Sequence, residues 1–193
     1  MFGPMSARMA FPFDLLTQSI CPNIIGHDSV KAGILLSLLG GTPFIGNTGV
    51  TAGGVGVGSR GGIDIRSNIH MIVVGDPGMG KSQMLLAATQ VAGRSVYVGG
   101  NTSSTTGLTV SLSKEKGGET GIEAGALVLA DQGVCCIDEF DKMAKAQQDG
   151  LLEAMEQQQI SIAKAGVVVS LPARCAIIAA ANPKQGKYNM VSI

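Results

Sequence analysis

Gly75-Asp76-Pro77-Gly78-Met79-Gly80-Lys81-Ser82 is the stretch on which the fold turns, and it satisfies G-x-x-x-x-G-K-[ST] at every position. In front of it, Ile69-His70-Met71-Ile72-Val73-Val74 reads as a buried strand, and behind it Gln83-Met84-Leu85-Leu86-Ala87-Ala88-Thr89 reads as a helix. Strand, glycine loop, lysine and helix is the order a phosphate cradle needs. Glycines there let backbone N–H groups close around phosphate oxygens. The helix N-terminus adds unpaired donors and a partial positive charge. Lys81 reaches the terminal phosphates of a nucleotide and the Ser82 hydroxyl ligates Mg²⁺. The bland alternative is a glycine-rich turn with a chance lysine, and both flanks speak against it.

A second apolar run, Val134-Cys135-Cys136-Ile137, ends in Asp138-Glu139 about 55 residues further on. In an open parallel sheet, ligands sit beyond the carboxyl ends of the strands. Asp138 would there hold Mg²⁺ through water, and Glu139 would polarise the attacking water as a general base. An acidic pair after a strand is common, and a solvated turn is its ordinary reading; the loop upstream gives it weight. Asn182 ends the run Arg174-Cys175-Ala176-Ile177-Ile178-Ala179-Ala180-Ala181. Its carboxamide either orients a water near the γ-phosphate or caps the following turn, and the residues alone leave these even.

The 193 residues suit one domain or most of one. Hydrophobic content is 45% and aromatics only 4%, so aliphatic side chains make the core. Basic and acidic residues balance at 14 each, which excludes bulk electrostatic binding of nucleic acid and leaves DNA contact to a few placed lysines. Cys21, Cys135, Cys136 and Cys175 form no C-x-x-C pair, and His27 and His70 lie far apart, so a zinc site is not expected. Cys135 and Cys136 read as core. No secreted disulfide framework, apolar leader or membrane-length apolar run is visible, so the chain reads as soluble and intracellular, with no membrane partner.

Along the chain, residues 1–13 read as a tail and 14–39 as helical, with Asp28 as an N-cap. Residues 40–62 crowd glycines among Ser, Thr and Val, and read as a flexible loop or insertion. Arg94–Val98 and Leu108–Leu112 read as strands, the latter followed by a charged turn holding Lys114 and Lys116. Residues 146–158 read as a helix with Leu151, Leu152 and Met155 on one face. Ile160–Ile162 and Val167–Leu171 flank Ala163-Lys164-Ala165-Gly166, a β-hairpin with a lysine in its turn. Strands alternating with helices point to an α/β fold with a largely parallel central sheet.

Together these residues resemble the AAA+ ATPase core of the minichromosome maintenance (MCM) helicases. Gly75–Gln83 looks like that family's Walker A segment, Ile137-Asp138-Glu139-Phe140-Asp141-Lys142-Met143 like its Walker B segment, and Ala179-Ala180-Ala181-Asn182-Pro183 like its sensor 1. Glu153–Gln158 with Ile160–Gly166 is similar to its pre-sensor-1 hairpin, and Cys21–His27 to the opening of the module near the adenine. Residues 99–110 and 123–129 look closest to the eighth paralogue, a branch associated with recombination and crosslink repair. The resemblance implies an AAA+ P-loop core with β-hairpin inserts over residues 14–193. It implies ATP and Mg²⁺ as cofactors, Lys81, Asp138, Glu139 and Asn182 as catalytic residues, and Gly75, Asp76, Pro77, Gly78, Met79, Gly80, Lys81, Ser82, Gln83, Ile25 and His27 as nucleotide contacts. It further implies Ser82 and Asp138 at the metal, Lys164, Lys114 and Lys116 on the DNA backbone in a ring channel, hexameric partnership with other MCM subunits, and action in the nucleus.

The chain also departs from that pattern. The family's N-terminal DNA-binding region does not fit in this length, and its arginine finger, sensor 2 and helical lid are expected after Ile193. Ser67 stands where glycine is expected. The expectation is a C-terminally truncated module that binds nucleotide, hydrolyses little by itself, does not unwind DNA alone and exposes an apolar face. Two alternatives accompany it. One is a related AAA+ motor for metal chelation or transcription activation, disfavoured by the segments 137–143 and 163–166. The other is a non-hydrolysing ATP-binding subunit that regulates MCM rings.

Overall fold

The computed structural model describes residues 12–42, 66–100, 105–108, 110–114, 120–164 and 167–183. Helices α1 (Phe13–Ser19) and α2 (Asp28–Leu39) precede strand β1 (Met71–Val74) and helix α3 (Lys81–Val91). Strand β2 (Ser95–Gly99) and the short helix α4 (Thr105–Leu108) lead into a ribbon of β3 (Val110–Lys114) and β4 (Thr120–Ala124). Helix α5 (Ala126–Leu129), strand β5 (Val134–Asp138), a 3₁₀ turn (Phe140–Lys142) and helix α6 (Lys145–Gln157) follow. A hairpin of β6 (Gln159–Lys164) and β7 (Val167–Pro172) leads to the last strand, β8 (Ala176–Ala181).

Strands β1, β8, β5 and β2 form one sheet in that order, every pairing parallel. Side chains alternate across a strand, so each strand of the middle pair feeds two cores. Cys136, Ile178 and Ala180 meet Ile34, Leu35, Met84, Leu85 and Ala88 from α2 and α3. Cys135, Ile137, Ile177 and Ala179 meet Leu127, Leu151, Ala154 and Ile160 on the other face. Burial on both faces explains why 134–137 and 176–181 read as unbroken apolar runs. All four cysteines are free and buried. No helix among the described residues is long and apolar enough to cross a membrane.

Several sequence expectations are corrected. The run before the glycine loop is not fully buried: among the described strands β1 is at the sheet edge, with Ile72 52% and Val74 42% exposed, because the alternation turns them away from α2. The 14–39 pattern splits into α1 and α2, and α1 already begins at Phe13. Asp28 is the first residue of α2; the cap position belongs to His27, in the left-handed region at φ 56°. Leu108 closes α4 rather than opening a strand. Leu152 is 52% exposed, so Leu151 and Ala154 carry the buried face of α6. Lys164 ends β6 opposite Val167 instead of sitting within the turn. The tail at 1–11 and most of the glycine-rich segment, 43–65, lie outside the described residues.

Candidate nucleotide site

Parallel pairing brings the carboxyl ends of the strands to one edge of the sheet, and Gly75, Asn182, Asp138 and Gly100 leave it side by side. The P-loop strand and the carboxylate strand are not neighbours; β8 lies between them and inserts Asn182 between Lys81 and Asp138. The Gly75 N–H continues the ladder to the Ala181 carbonyl at 3.3 Å. Gly78 and Gly80 then take φ +84° and +81°, a region that penalises side chains. Gly80 also caps α3, and a Cβ on it would lie 2.5 Å from Ile24 Cδ1. No side chain caps α3 and its first turn holds no acid, so its N–H groups and positive end remain directed at the loop.

Lys81 Nζ donates to the carbonyls of Gly75 (2.6 Å) and Asp76 (2.8 Å) and to Asn182 Oδ1 (3.0 Å). The Asn182 N–H donates to Asp141 Oδ1 at 2.9 Å. The carboxamide oxygen of Asn182 thus faces Lys81, and the turn that follows it lies outside the described residues. Asp138 accepts from Tyr97 Oη at 2.8 Å, from the Glu139 N–H at 2.9 Å and from the Ser82 hydroxyl. Partial burial is the largest single influence on Asp138 and would raise its pKa. The bonds from Ser82, Tyr97 and Glu139, with the Lys81 charge, outweigh burial and hold the carboxyl below its ordinary range. Burial, then the bond to Asp138, pushes the Tyr97 phenol above its ordinary range. Glu139 stands at φ +52° and pairs with Lys142.

These groups surround a cavity of about 370 Å³ lined by Pro77, Gly78, Gly80, Lys81, Ser82, Gln83, Asp138, Glu139, Ala180, Ala181 and Asn182. Of the remaining sequence candidates, Gly75 and Asp76 hold Lys81 from behind, and Met79 is 48% exposed at the loop tip. Ile25 is 95% exposed and His27 is exposed; neither lines the cavity, and it is Ile24 that lies against the loop. Lys114 and Lys164 each stand in the last pair of a ribbon, opposite Thr120 and Val167. Lys116 lies outside the described residues.

Sequence reasoning missed Tyr97, Asp141, Ile24, Lys142 and Gly100. Asp141 and Lys142 lay inside the quoted Walker B stretch and carried a signal. Tyr97 and Gly100 carried none, since they meet Asp138 and Glu139 only through the β2–β5 pairing. Gly100 N–H donates to the Asp138 carbonyl at 2.7 Å, and a Cβ there would lie 2.4 Å from the Glu139 carbonyl oxygen.

A glycine loop at positive φ, an uncapped helix and a hydroxyl–carboxylate pair on a parallel sheet define a P-loop nucleotide-binding domain. Its family is recognisable: the MCM P-loop domain matches residues 5–192, and the chain belongs to the MCM family. It is 57% identical over 178 residues to the Homo sapiens DNA helicase MCM8, covering 92% of this chain and 20% of that relative. It is 56% identical over 178 residues to DNA helicase MCM8 of Xenopus tropicalis, again 92% of this chain and 20% of the relative. Against the probable DNA helicase MCM8 of Oryza sativa subsp. indica it is 50% identical over 178 residues, 92% of this chain and 21% of the relative. The chain spans about a fifth of the length of these curated relatives.

Proposed function

We propose that residues 14–193 are the ATP-binding and hydrolysing module of an MCM-type DNA helicase that acts in the nucleus, in DNA replication or recombination repair. The observation that carries this reading is the hydrogen-bonded convergence of Lys81, Asn182, Asp138 and Ser82 on one cavity at the end of the sheet. The residues fit the nucleotide and its metal. Gly78 and Gly80 hold the loop at positive φ, and Ser82 and Asp138 offer the oxygen donors that Mg²⁺ prefers. Ser82 and Asp138 would hold Mg²⁺, which would supply charge neutralisation of the phosphates.

The chain's own residues do the rest. Backbone N–H groups of 78–82 hold the phosphates, and Lys81 exchanges carbonyl partners for phosphate oxygens while keeping Asn182 within reach. Asn182 and Glu139 flank the place of the attacking water; Asn182 orients it and Glu139 takes its proton. Lys81 is the one cation lining the cavity among the described residues. Full turnover therefore needs a further positive group, and a neighbouring subunit of a hexameric MCM ring supplies it; such a group is worth about 10³–10⁵ in rate. Lys164 and Lys114, at the ends of their ribbons, and Lys116 touch the DNA backbone in the ring channel, where a flexible ammonium finds phosphates without reading bases.

The test is titration of a fluorescent ATP analogue with and without Mg²⁺. Saturable, Mg²⁺-dependent binding lost in Lys81→Ala supports the reading; binding that ignores both changes removes it. Steady turnover by the isolated chain, abolished by Glu139→Gln, would refute the need for a neighbour's charge.

A further inference from the structure

We infer that the opposite end of the sheet holds a second site, which binds an extended acidic peptide segment of a partner protein. A cavity of about 740 Å³ lies there, at the amino ends of the strands. The strands carry 4 to 6 residues, so at about 3.3 Å per residue it lies roughly 13–20 Å from the phosphate cavity. Leu35, Leu38 and Val134 form an apolar part of its floor, and among the described residues no acidic side chain lines it.

Arg66, Arg94 and Arg174 line it instead. Arg174 is ion-paired with Asp131 at 2.9 Å. Arg94 donates to the Asp131 carbonyl at 3.1 Å and its charge acts on the same carboxylate that Arg174 pairs with, so one carboxylate serves two guanidiniums, while Arg66 donates to a neutral acceptor, the Met155 carbonyl at 2.6 Å. Ser37 lines the same cavity, is 2% exposed, and its hydroxyl has no hydrogen-bond partner. A helical serine commonly bonds the carbonyl four residues back. A buried hydroxyl without a partner costs about 1–3 kcal/mol, which a ligand group would recover.

The spread of charge selects the ligand. Arg66 precedes β1 and Arg94 precedes β2, and β8 and β5 lie between those strands. Three inter-strand steps of about 4.8 Å set those two strands roughly 14 Å apart, the span of about four extended residues. One compact anion cannot engage both ends of such a row. An extended segment alternating acidic and aliphatic residues can, placing carboxylates on the guanidinium forks and aliphatic groups on the floor.

The experiment is fluorescence anisotropy of a labelled synthetic peptide alternating glutamate and leucine, titrated with the full chain. Saturable binding is expected, about tenfold weaker for the glutamine–leucine peptide and about fivefold weaker in Arg66→Gln and in Arg94→Gln. Ser37→Ala is expected to lose two- to threefold. ATP-analogue affinity stays unchanged in the arginine variants, and peptide affinity stays unchanged in Lys81→Ala. Should the variants not fold, phenylglyoxal modification of the unaltered chain decides, since bound peptide must protect Arg66 and Arg94. Equal affinity for the glutamine peptide, unchanged affinity in both arginine variants, loss in Lys81→Ala, or displacement by inorganic phosphate or a DNA duplex would each overturn the inference.

Discussion

Asp138 is held by three hydrogen bonds, from Ser82 on α3, Tyr97 on β2 and the adjacent Glu139 N–H, and that convergence makes single substitutions informative. Tyr97→Phe removes the phenol donor. We expect a loss of about 1 kcal/mol of stability, modest because Tyr97 is 40% exposed, and weaker Mg²⁺-dependent nucleotide binding, read by denaturant titration and analogue binding. The depressed Asp138 carboxyl also sets a pH dependence. Its folded pKa lies below the unfolded value, so its stabilisation is present above the unfolded carboxylate pKa of about 3.9 and is lost as pH falls through the folded one. Asp138→Asn should flatten that acid limb in a melting series. The thiols behave oppositely. Burial pushes Cys136 and Cys175 up to about 12, so native alkylation should be slow and become rapid on unfolding.

Gly80 and Gly100 show where backbone, not side chain, builds the site. Gly80→Ala is strained at φ +81° and meets Ile24; we expect a cost of about 1–2 kcal/mol and weaker nucleotide binding. Adding Ile24→Ala should recover the steric part and leave the backbone part, a split that a double-mutant cycle measures. Gly100→Ala drives a Cβ into the backbone of Glu139, a contact no rotamer relieves. It should cost about 1–3 kcal/mol and, in the assembled protein, reduce ATP turnover more than ATP binding. The segment before α2 is fixed from below. Lys31, 4% exposed, donates to the Ile24 carbonyl at 2.6 Å and so holds Ile24 against the loop. These devices were not legible in the sequence. Walker-type spacing marks the residues that meet a phosphate, whereas Ile24, Tyr97 and Gly100 matter through contacts between elements distant in the chain.

For the molecule as a whole, the described sheet has an open edge. β1 pairs with β8 on one side, and Ile72, Val74 and nearby Ile69 are exposed. An edge strand of the described sheet with exposed apolar side chains templates association. The chain by itself should therefore associate with rising concentration in sedimentation velocity, and Ile72→Lys should reduce this without changing ATP affinity. An unchanged concentration dependence would locate the sticky surface elsewhere.

The sequence by itself determined the P-loop, the carboxylate strand and the α/β class, because each is written in contiguous residues with a local physical reason: glycines for positive φ, apolar runs for two-sided burial, hydroxyl and carboxylate oxygens for a hard cation. It also marked the hairpin around Lys164. Only the tertiary structure decided the strand order, and with it that Asn182 reaches Lys81, that Tyr97 reaches Asp138, that β1 is at the edge of the described sheet, and that arginines from three connections gather at the far end of the sheet. Parallel pairing joins residues separated by forty to a hundred positions. Local propensity carries no record of such neighbours; they follow from how the apolar faces of the strands share two cores.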